Sequence, residues 1–453
     1  MAACSAPEPQ PYGPVPTDAQ LAWQRMEINM FCHFGPNTFT GAEWGSGEEN
    51  KDVFAPTALD CSQWVDVASQ AGFGGIILTA KHHDGFCLWP SMQSTHTVAD
   101  TLDVLRALRT AIDIHNSELK MGVYISPWDR NHPTYGTDDY NDVFVNTLKE
   151  VHSAYGPMFE QWFDGACGEG PNGKKQHYDW PRFMQTMREL NPQCVIFSDI
   201  GPGCRWVGNE EGHTGDPCWS TLNTEGATPS DNKPQPAELE TGHKGGTNWV
   251  PAEVDVSIRP GWFWHPNEHP KSVDELMEIY YNSVGRNGLL LLNVPPDTRG
   301  HIPAEDSAVL VAFRAERDRI FSHDLAQGAK ASGSHLRGQR YSAQNVLDTA
   351  YHTYWVAKDS LSSIVVTMDS ITTFDIIVLQ EYIPLGQRVG SVTMYYDDGG
   401  TLRPYTDGPL CTTVGYKRIV RIPTPLRTSK LIFSFGGDAL PVINRIALYN
   451  SAR

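Results

Sequence analysis

In the stretch Glu160-Gln161-Trp162-Phe163-Asp164-Gly165-Ala166, a strand-like aromatic run ends at an acidic residue, and two small residues follow it. Barrel enzymes present reactive carboxylates in this way, because the strand fixes the side chain and the small residues allow close approach. The segment from Leu78 to Phe86 has the same pattern, with apolar residues followed by Lys81-His82-His83-Asp84-Gly85. Two strand ends of this kind predict one pocket that is lined from several strands.

Composition limits the class of protein. The 453 residues exceed one typical domain and predict a large domain plus a smaller one. With 35 Lys and Arg against 53 Asp and Glu, the formal net charge is −18 and basic residues do not cluster, so nucleic acid is not an expected partner. The 13 Trp, 17 Tyr and 17 Phe suit platforms for neutral sugars, although most of these rings are expected in the core.

Between residues 17 and 335, apolar segments alternate with amphipathic ones, which predicts a distorted (β/α)8-like barrel whose repeat is irregular from 215 to 260. The strand candidates are Met30–His33, Gly75–Ala80, Met121–Ser126, Phe159–Asp164, Cys194–Asp199 and Leu289–Val294. The helix candidates are Ser62–Ala71, Leu102–His115, Asp142–Ala154 and Val273–Arg286, the last preceded by a capping box from Ser272 to Glu275.

Residues 336–453 have a period of two, which predicts a C-terminal β-sandwich of short strands. The strand candidates are Ser363–Met368, Phe374–Glu381, Ser391–Tyr396, Arg418–Ile422 and Lys430–Phe435. At the other end of the chain, residues 1–16 are rich in proline and are expected to form a flexible leader.

The nine cysteines form no CxxC pair, and Cys32, Cys87 and Cys194 lie in or beside apolar runs, which favours buried free thiols. Cys4 differs from these. The sequence Met1-Ala2-Ala3-Cys4-Ser5 resembles the end of a bacterial lipoprotein signal, and it predicts an exported periplasmic or cell-surface protein anchored by lipid at Cys4. The alternative is an ordinary N-terminal tail.

Two carboxylates are candidates for the chemistry. Asp164 ends a strand, and Glu210 lies in the Gly-rich loop 203–212 that follows the Cys194–Asp199 strand. A pair of carboxylates at a sugar-sized pocket is what cleavage of a glycosidic bond requires. The residues alone leave other acids open for the second role, namely Glu211, Asp199, Asp216 and Glu253.

Three histidines, His33, His82 and His83, are expected at strand ends on the same face. Such histidines bind zinc in metal-dependent barrel hydrolases. However, successive side chains of a strand diverge, so adjacent His82 and His83 are poorly suited to chelate one ion. Neutral imidazoles that hydrogen-bond sugar hydroxyls are the favoured interpretation.

Several motifs together resemble those of bacterial α-L-fucosidases of glycoside hydrolase family 29, in the branch restricted to α-1,3/1,4-linked fucose, over about residues 20–450. The motifs are Phe31-Cys32-His33-Phe34-Gly35, Thr40-Gly41-Ala42-Glu43-Trp44-Gly45, Lys81-His82-His83-Asp84-Gly85-Phe86, Trp162-Phe163-Asp164-Gly165-Ala166, Trp206-Val207-Gly208-Asn209-Glu210 and Asn293-Val294-Pro295-Pro296-Asp297. The resemblance implies a distorted (β/α) barrel with a C-terminal, discoidin-like β-sandwich.

The resemblance also implies site residues and a reaction. Asp164 matches the nucleophile and Glu210 the acid/base of a retaining exo-glycosidase that releases fucose from glycans such as Lewis-type oligosaccharides, without metal or cofactor. The implied sugar ligands are His33, Glu43, Trp44, His82, His83, Trp128, Arg205, Trp262 and Trp264. Alternatives are a broad-specificity α-L-fucosidase, a zinc-dependent barrel hydrolase and a fucose-binding protein without activity. Oligomeric state does not follow from the sequence.

Overall fold

A computed structural model describes residues 8–99, 101–115, 118–336 and 338–452. In these ranges the chain forms a closed barrel of eight parallel strands, followed by an antiparallel β-sandwich. The fold expected from the sequence is therefore confirmed. Within the same ranges, no helix combines the length and the apolar character needed to cross a bilayer.

The barrel strands follow one another around the closed sheet in the order β1-β10-β9-β6-β5-β4-β3-β2, while β7 and β8 form a separate two-stranded sheet. Every residue of β1, β2 and β10 is buried, because helices cover the outside of the barrel and side chains fill its interior. The strands are β1 (Ile28–Cys32), β2 (Gly75–Lys81), β3 (Lys120–Ile125), β4 (Glu160–Trp162), β5 (Val195–Ser198), β6 (Cys204–Trp206), β7 (Thr221–Leu222), β8 (Asn248–Trp249), β9 (Ala252–Ser257) and β10 (Leu289–Asn293).

Helices of the same domain connect these strands. They are α1 (Asp18–Gln24), α2 (Pro36–Thr40), α3 (Cys61–Ala71), α4 (Val104–His115), α5 (Asp139–Ala154), α6 (Trp180–Leu190), α7 (Pro236–Thr241), α8 (Val273–Asn282) and α9 (Ala304–Phe321). The capping box predicted at Ser272 is present, since its side chain accepts from the Glu275 amide. From α1, Trp23 reaches the barrel interior and donates its indole N–H to Glu160 at 2.7 Å.

Two of the eight barrel strands, β6 and β9, were not predicted from the sequence. Strand β6 is only three residues long and contains an arginine. Strand β9 places Glu253, Asp255 and Ser257 on alternate positions, and all three are buried. Acids on the inward face remove the apolar run by which a barrel strand is recognised. This explains why the repeat is irregular between 215 and 260.

The C-terminal sandwich is built from β11 (Lys330–Ser332), β12 (Trp355–Val356), β13 (Leu361–Glu381), β14 (Val389–Asp398), β15 (Thr401–Pro404), β16 (Arg418–Gly437) and β17 (Val442–Tyr449). Strands β13 and β16 pair with each other, and each of them spans two of the predicted segments. Register shifts interrupt the pairing between these segments. Because β11 pairs with β13, the C-terminal sheet begins at Lys330, before the boundary expected at 335/336.

The part of the proline-rich leader that is described, residues 8–16, lies against the C-terminal domain. Tyr12 donates its amide to the carbonyl of Leu385 at 3.0 Å, and Arg388 donates to the carbonyl of Gln10 at 2.5 Å. Two backbone groups of this segment thus have partners on the sandwich, while most of its residues are exposed. The flexibility of the leader stays a prediction. Cys4 lies outside the described residues.

Polar contacts join the barrel to the sandwich. Asn287 accepts the Tyr416 amide at 2.7 Å and donates to the carbonyl of Cys218 at 3.1 Å. Arg418 of β16 pairs with Asp216 at 2.6 Å. The half-buried Lys417 pairs with Glu27 of the barrel. The two domains therefore share hydrogen bonds that neither could satisfy alone.

Buried free thiols are confirmed at Cys32, Cys87 and Cys194. The other cysteines that the structure describes, Cys61, Cys167, Cys204, Cys218 and Cys411, are free as well.

Candidate active site

A cavity of about 270 Å³ opens at the carboxyl ends of the barrel strands. It brings together most of the residues that the sequence singled out. These are His33, Glu43, Trp44, His82, His83, Asp164, Glu210 and Trp262. Such a face is where barrel enzymes carry their active sites, since side chains from several strands converge there.

Asp164 lies two residues after the end of β4, and both of its carboxylate oxygens accept hydrogen bonds. Oδ2 accepts the hydroxyl of Tyr124 from β3 at 3.0 Å, and Oδ1 accepts the amide of Ala166 at 2.8 Å. Its side chain is 27% exposed, whereas its neighbour His83 is buried, with 3.6 Å between Nε2 and Oδ2. Asp164 is thus fixed in direction and open to the cavity, as a nucleophile must be.

Gly165 makes room for a second acid behind Asp164. A Cβ at this position would lie 2.3 Å from Oδ2 of Asp199, so any larger residue would displace that carboxylate. Asp199 is buried and pairs with Lys233, which also lies 5.4 Å from the ring centroid of Trp206. Burial raises the pKa of Asp199 to about 6, and the Lys233 charge opposes this rise.

Glu210 reaches the cavity from the loop that follows β6. Its Oε2 accepts the indole N–H of Trp262 at 3.2 Å. Partial burial raises the pKa of Glu210, and the negative charges of Asp164 and Glu43 raise it further, while the Trp262 hydrogen bond opposes the shift. A carboxyl whose pKa is raised beside an ionised one can hold the proton that an acid catalyst donates.

The backbone of the Glu210 loop is fixed by its neighbours. Gly208 has a φ of +97°, and a Cβ there would lie 2.4 Å from the carbonyl oxygen of Pro236. The side chain of Asn209 donates to the carbonyl of His213 and to Glu240, both at 3.1 Å. The Gly208-Asn209-Glu210 sequence is therefore a rigid support for the acid.

Glu43 holds the segment that carries Trp262. One of its oxygens accepts the Trp262 amide at 2.8 Å, and the other contacts Nε2 of His265 at 2.6 Å. Asn293 of β10 donates to the Trp262 carbonyl at 2.7 Å. Two loops and a strand end therefore place the indole that contacts Glu210.

The hydrogen bonds of His33 define its tautomer. Its Nδ1 lies 2.8 Å from Oδ1 of Asn293, whose own amide nitrogen donates to Ser257 and to Trp262. Since Oδ1 is an acceptor, Nδ1 of His33 carries the proton and Nε2 keeps a free lone pair. Burial lowers the pKa of His33 to about 3, so the ring is neutral and its Nε2 can accept a hydrogen bond from a sugar hydroxyl.

The other two histidines are also neutral. Nδ1 of His83 lies 2.8 Å from Oγ of Ser126, and burial lowers the pKa of His83 to about 4 against the opposing charge of Asp164. Burial together with the neighbouring rings lowers the pKa of His82 well below its usual value. His82 stacks on Tyr124, with 5.5 Å between ring centroids. The pocket wall therefore offers uncharged hydrogen-bonding groups.

Three residues expected to bind sugar do not line the cavity. Arg205 is buried, and its guanidinium donates to the carbonyls of Leu239 and Val250. Alternation along β6 explains this position, since the next residue, Trp206, lines the cavity instead. Trp128 lies behind the wall, with its ring 4.8 Å from that of His83 and its indole N–H bonded to the Glu169 carbonyl.

Trp264 also lies away from the cavity. The residue before it, Phe263, turns inward and packs against His33 and His82, with centroid distances of 5.4 and 5.2 Å. Trp262 and Phe263 thus take the inner positions of this segment. Of the tryptophans expected to bind sugar, Trp262 lines the cavity, and so does Trp44, which is 59% exposed.

Sequence reasoning gave no role to several residues that line the cavity, namely Tyr124, Trp206, Lys233 and Asp255. Asp199, which it left open as an alternative acid, lines the cavity as well. Period-two counting along β3 would have placed Tyr124 on the same face as Ser126. Lys233 precedes α7 in the irregular region, and no local pattern marks it. Asp255 lies on β9, the strand that sequence reasoning missed.

The histidines do not form the grouping that a metal ion needs. A metal ion needs at least three ligand atoms close together. Among the described residues, the acidic, histidine or cysteine side chains that bring three such atoms within 4.8 Å of one another are Glu160, Cys204 and Glu253. All three are buried in the barrel, where Trp23 and Trp162 donate to the two carboxyls at 2.7 Å. These indole hydrogen bonds already occupy one oxygen of each acid.

Comparison with known proteins identifies the family. The profile of the α-L-fucosidase family matches residues 14–314. The chain belongs to this family. Alpha-L-fucosidase 1 of Arabidopsis thaliana is 40% identical over 98% of this chain and 89% of its own length. The crystal structure of SpGH29 is 37% identical, with a TM-score of 0.92 over 98% of this chain and 99% of that one.

A member of the family is known with sugar bound. It is a Ruminococcus gnavus GH29 fucosidase in complex with fucose, 30% identical, with a TM-score of 0.88 over 98% of this chain and 97% of that one. The barrel with a C-terminal sandwich is thus the fold of the α-L-fucosidase family, and glycoside hydrolysis is its chemistry.

Proposed function

We propose that this α-L-fucosidase is a retaining exo-glycosidase that releases fucose linked α-1,3 or α-1,4 in glycans such as Lewis-type oligosaccharides. The observation that carries the mechanism is that one cavity holds two carboxyl groups in different chemical environments. Asp164 is held by Tyr124 and open to the cavity, and Glu210 has a raised pKa. One group is prepared for attack and the other for proton transfer.

In the first step, Asp164 attacks the anomeric carbon while Glu210 protonates the leaving oxygen, and a glycosyl-enzyme forms. The Asp164 charge, which raises the pKa of Glu210 in the free protein, is then lost. Glu210 consequently becomes easier to ionise at the moment when it must deprotonate the attacking water. In a retaining enzyme the two carboxyl groups lie ~5–5.5 Å apart.

A reagent that traps the intermediate tests the nucleophile. A 2-fluorofucosyl inhibitor should label the peptide that contains Asp164, and Asp164→Asn should abolish both labelling and turnover. NMR of the first-formed sugar should show α-fucose. Labelling at another carboxylate would contradict the assignment, and β-fucose as the first product would contradict retention.

The linkage preference rests on the resemblance of Trp206-Val207-Gly208-Asn209-Glu210 to the α-1,3/1,4 branch. Trp206 and Lys233 line the cavity beside the Glu210 loop, where the part of the glycan beyond fucose would lie. Rates should be high on Lewis-type trisaccharides and low on α-1,2-fucosyl lactose and simple aryl fucosides. Equal rates on all three would assign the protein to the alternative, a broad-specificity α-L-fucosidase.

We also propose that the protein acts outside the cytoplasm, as a bacterial periplasmic or cell-surface lipoprotein anchored at Cys4. This proposal rests on the N-terminal sequence alone. The similar proteins come from a plant and from bacteria, so they do not indicate a bacterial origin. Mass spectrometry of the natural protein tests it. A lipid mass on the Cys4 peptide is expected, and an unmodified Cys4 in a cytoplasmic fraction would contradict the proposal.

A further inference from the structure

We propose that Asp255 is a third functional carboxyl of the pocket, a neutral carboxylic acid that donates a hydrogen bond to a hydroxyl of the bound sugar. This inference rests on the proposed function and adds a substrate-binding residue to it. Asp255 had no assigned role from the sequence, because it lies on β9 in the irregular region.

The position of Asp255 follows from the alternation along β9. Val254 and Val256 pack among buried apolar residues, whereas Glu253, Asp255 and Ser257 take the intervening positions. Glu253 lies deeper, where it accepts the indole N–H of Trp162. Asp255 is one inward-facing position closer to the substrate side, and it lines the cavity together with Asp164 and Glu210.

One oxygen of Asp255 has no partner. Oδ1 is buried and makes no hydrogen bond with any residue that the structure describes, and the residue is only 2% exposed. A buried polar atom without a partner is costly, and in native proteins such atoms commonly mark a place for a ligand or water. Since Asp255 lines the cavity, a sugar hydroxyl can supply the missing partner.

The surroundings of Asp255 favour its protonated form. Burial raises its pKa well above the usual value, and the carboxylates of Glu210, Asp164 and Asp199 raise it further. Lys233, the cation that lines this cavity with them, is paired with Asp199. A carboxylic acid kept neutral in this way donates a hydrogen bond, as other enzymes exploit.

This donor complements the rest of the wall. His33 presents Nε2 as an acceptor, because its Nδ1 proton is engaged with Asn293. Asp164 is also an acceptor. A sugar hydroxyl both donates and accepts, so the wall needs donors as well as acceptors, and the Lys233 donor is already paired with Asp199. Asp255 supplies a donor without adding negative charge next to the nucleophile.

The first experiment compares Asp255→Ala with Asp255→Asn. The alanine variant cannot donate, so fucose should bind ~10- to 100-fold more weakly and kcat/KM should fall by a similar factor. The asparagine variant keeps a neutral donor of the same shape and should recover much of that loss. Calorimetric titration with fucose gives the affinity, and thermal melting confirms that each variant is folded.

Deoxygenated substrates sharpen the test. In the wild type, removal of the hydroxyl that Asp255 binds should lower kcat/KM, whereas removal of the same hydroxyl should have little further effect in Asp255→Ala. A merely structural role would weaken all deoxy analogues equally. Asp324→Ala, which removes a partly buried carboxyl that contacts Arg445 of the C-terminal domain, is the control for loss of an acid elsewhere.

Each failure has a separate meaning. If the wild type cleaves no fucoside, the proposed function is wrong. If the wild type cleaves fucosides and Asp255→Ala binds and cleaves as well as it does, only the assignment of Asp255 is wrong. If Asp255→Asn is as weak as Asp255→Ala, the carboxyl does not act as a neutral donor, and the proposal is overturned.

Discussion

The hydroxyl of Tyr124 donates a hydrogen bond of 3.0 Å to Oδ2 of Asp164. Tyr124 belongs to β3 and Asp164 follows β4, so the contact joins two adjacent barrel strands at their carboxyl ends. The burial of the phenol and the charge of Asp164 raise the pKa of Tyr124 well above its usual value, which keeps the proton on the tyrosine. The nucleophile therefore has a permanent donor that stabilises its charged form.

Tyr124→Phe should slow release of fucose from the enzyme more than formation of the intermediate. Asp164 is the leaving group of the second step, and the phenol stabilises the negative charge that returns to it. Loss of one such donor costs ~10²-fold or more in turnover. Pre-steady-state kinetics should show a burst of aglycone and a lowered KM. A variant with unchanged turnover would show that the contact only orients Asp164.

Glu210→Ala should affect substrates according to their leaving groups. Natural glycans need a proton on the departing oxygen, so their cleavage should fall ~10²- to 10⁴-fold, whereas an activated aryl fucoside should lose much less. Azide should partly rescue the variant by replacing the water that Glu210 activates, and it should give a fucosyl azide. The neighbouring exposed acid, in Glu211→Ala, is the matched control. If azide rescued Glu211→Ala and not Glu210→Ala, the acid/base would be Glu211.

Acid should destabilise the fold through the buried histidines. The pKa of His83 is about 4 in the folded state against 6.5 for an exposed histidine, so the unfolded chain binds a proton that the native state refuses. Stability from this residue is complete above about pH 6.5 and is lost as the pH falls towards 4.

Between pH 6.5 and 4, His83→Gln should therefore reduce the slope of the unfolding free energy against pH by the amount that corresponds to about one bound proton. Denaturant unfolding at closely spaced pH values measures this slope. His323→Gln, at an exposed position, is the control for loss of a histidine elsewhere. An unchanged slope in His83→Gln would show that His83 is protonated in the folded protein.

Removal of the C-terminal sandwich should destabilise the barrel. Truncation after Phe321, where α9 ends, would leave Asn287 and Asp216 without their partners Tyr416 and Arg418. Asn287 is buried, and a buried polar group that loses its partner costs ~1–3 kcal/mol, a large part of the stability of a domain. Asp216 is exposed, so the loss of its ion pair with Arg418 costs less. Soluble yield and melting temperature of the truncated chain are the measurements. A truncated chain that melts like the full chain would show that the sandwich is only tethered.

The sequence predicted best where a strand ends abruptly in polar residues. Asp164 and the His82-His83 pair follow apolar runs, and the local pattern alone places them at one end of the barrel. It failed where the pattern depends on tertiary contacts. Strand β6 is too short for alternation to be read, so Arg205 and Trp206 could not be assigned to opposite faces.

The acids of β9 illustrate the other limit. Acidic residues such as Glu253 and Asp255 are usually exposed, yet both are buried. Their surroundings depend on the closed barrel. Trp162 donates a hydrogen bond to Glu253, and Asp255 lies beside the cavity, where a ligand can bind. Lys233 is likewise placed by its contact with Asp199 and not by any local signal.

The neutral histidine wall has a consequence for the ionic environment in which the protein works. Fucose carries no charge, and His33, His82 and His83 carry none at neutral pH because burial lowers the pKa of each. Recognition of the sugar therefore involves no pairing of opposite charges for dissolved ions to screen. Affinity for fucose should stay constant between dilute buffer and sea-water salt, although the surface as a whole is strongly acidic.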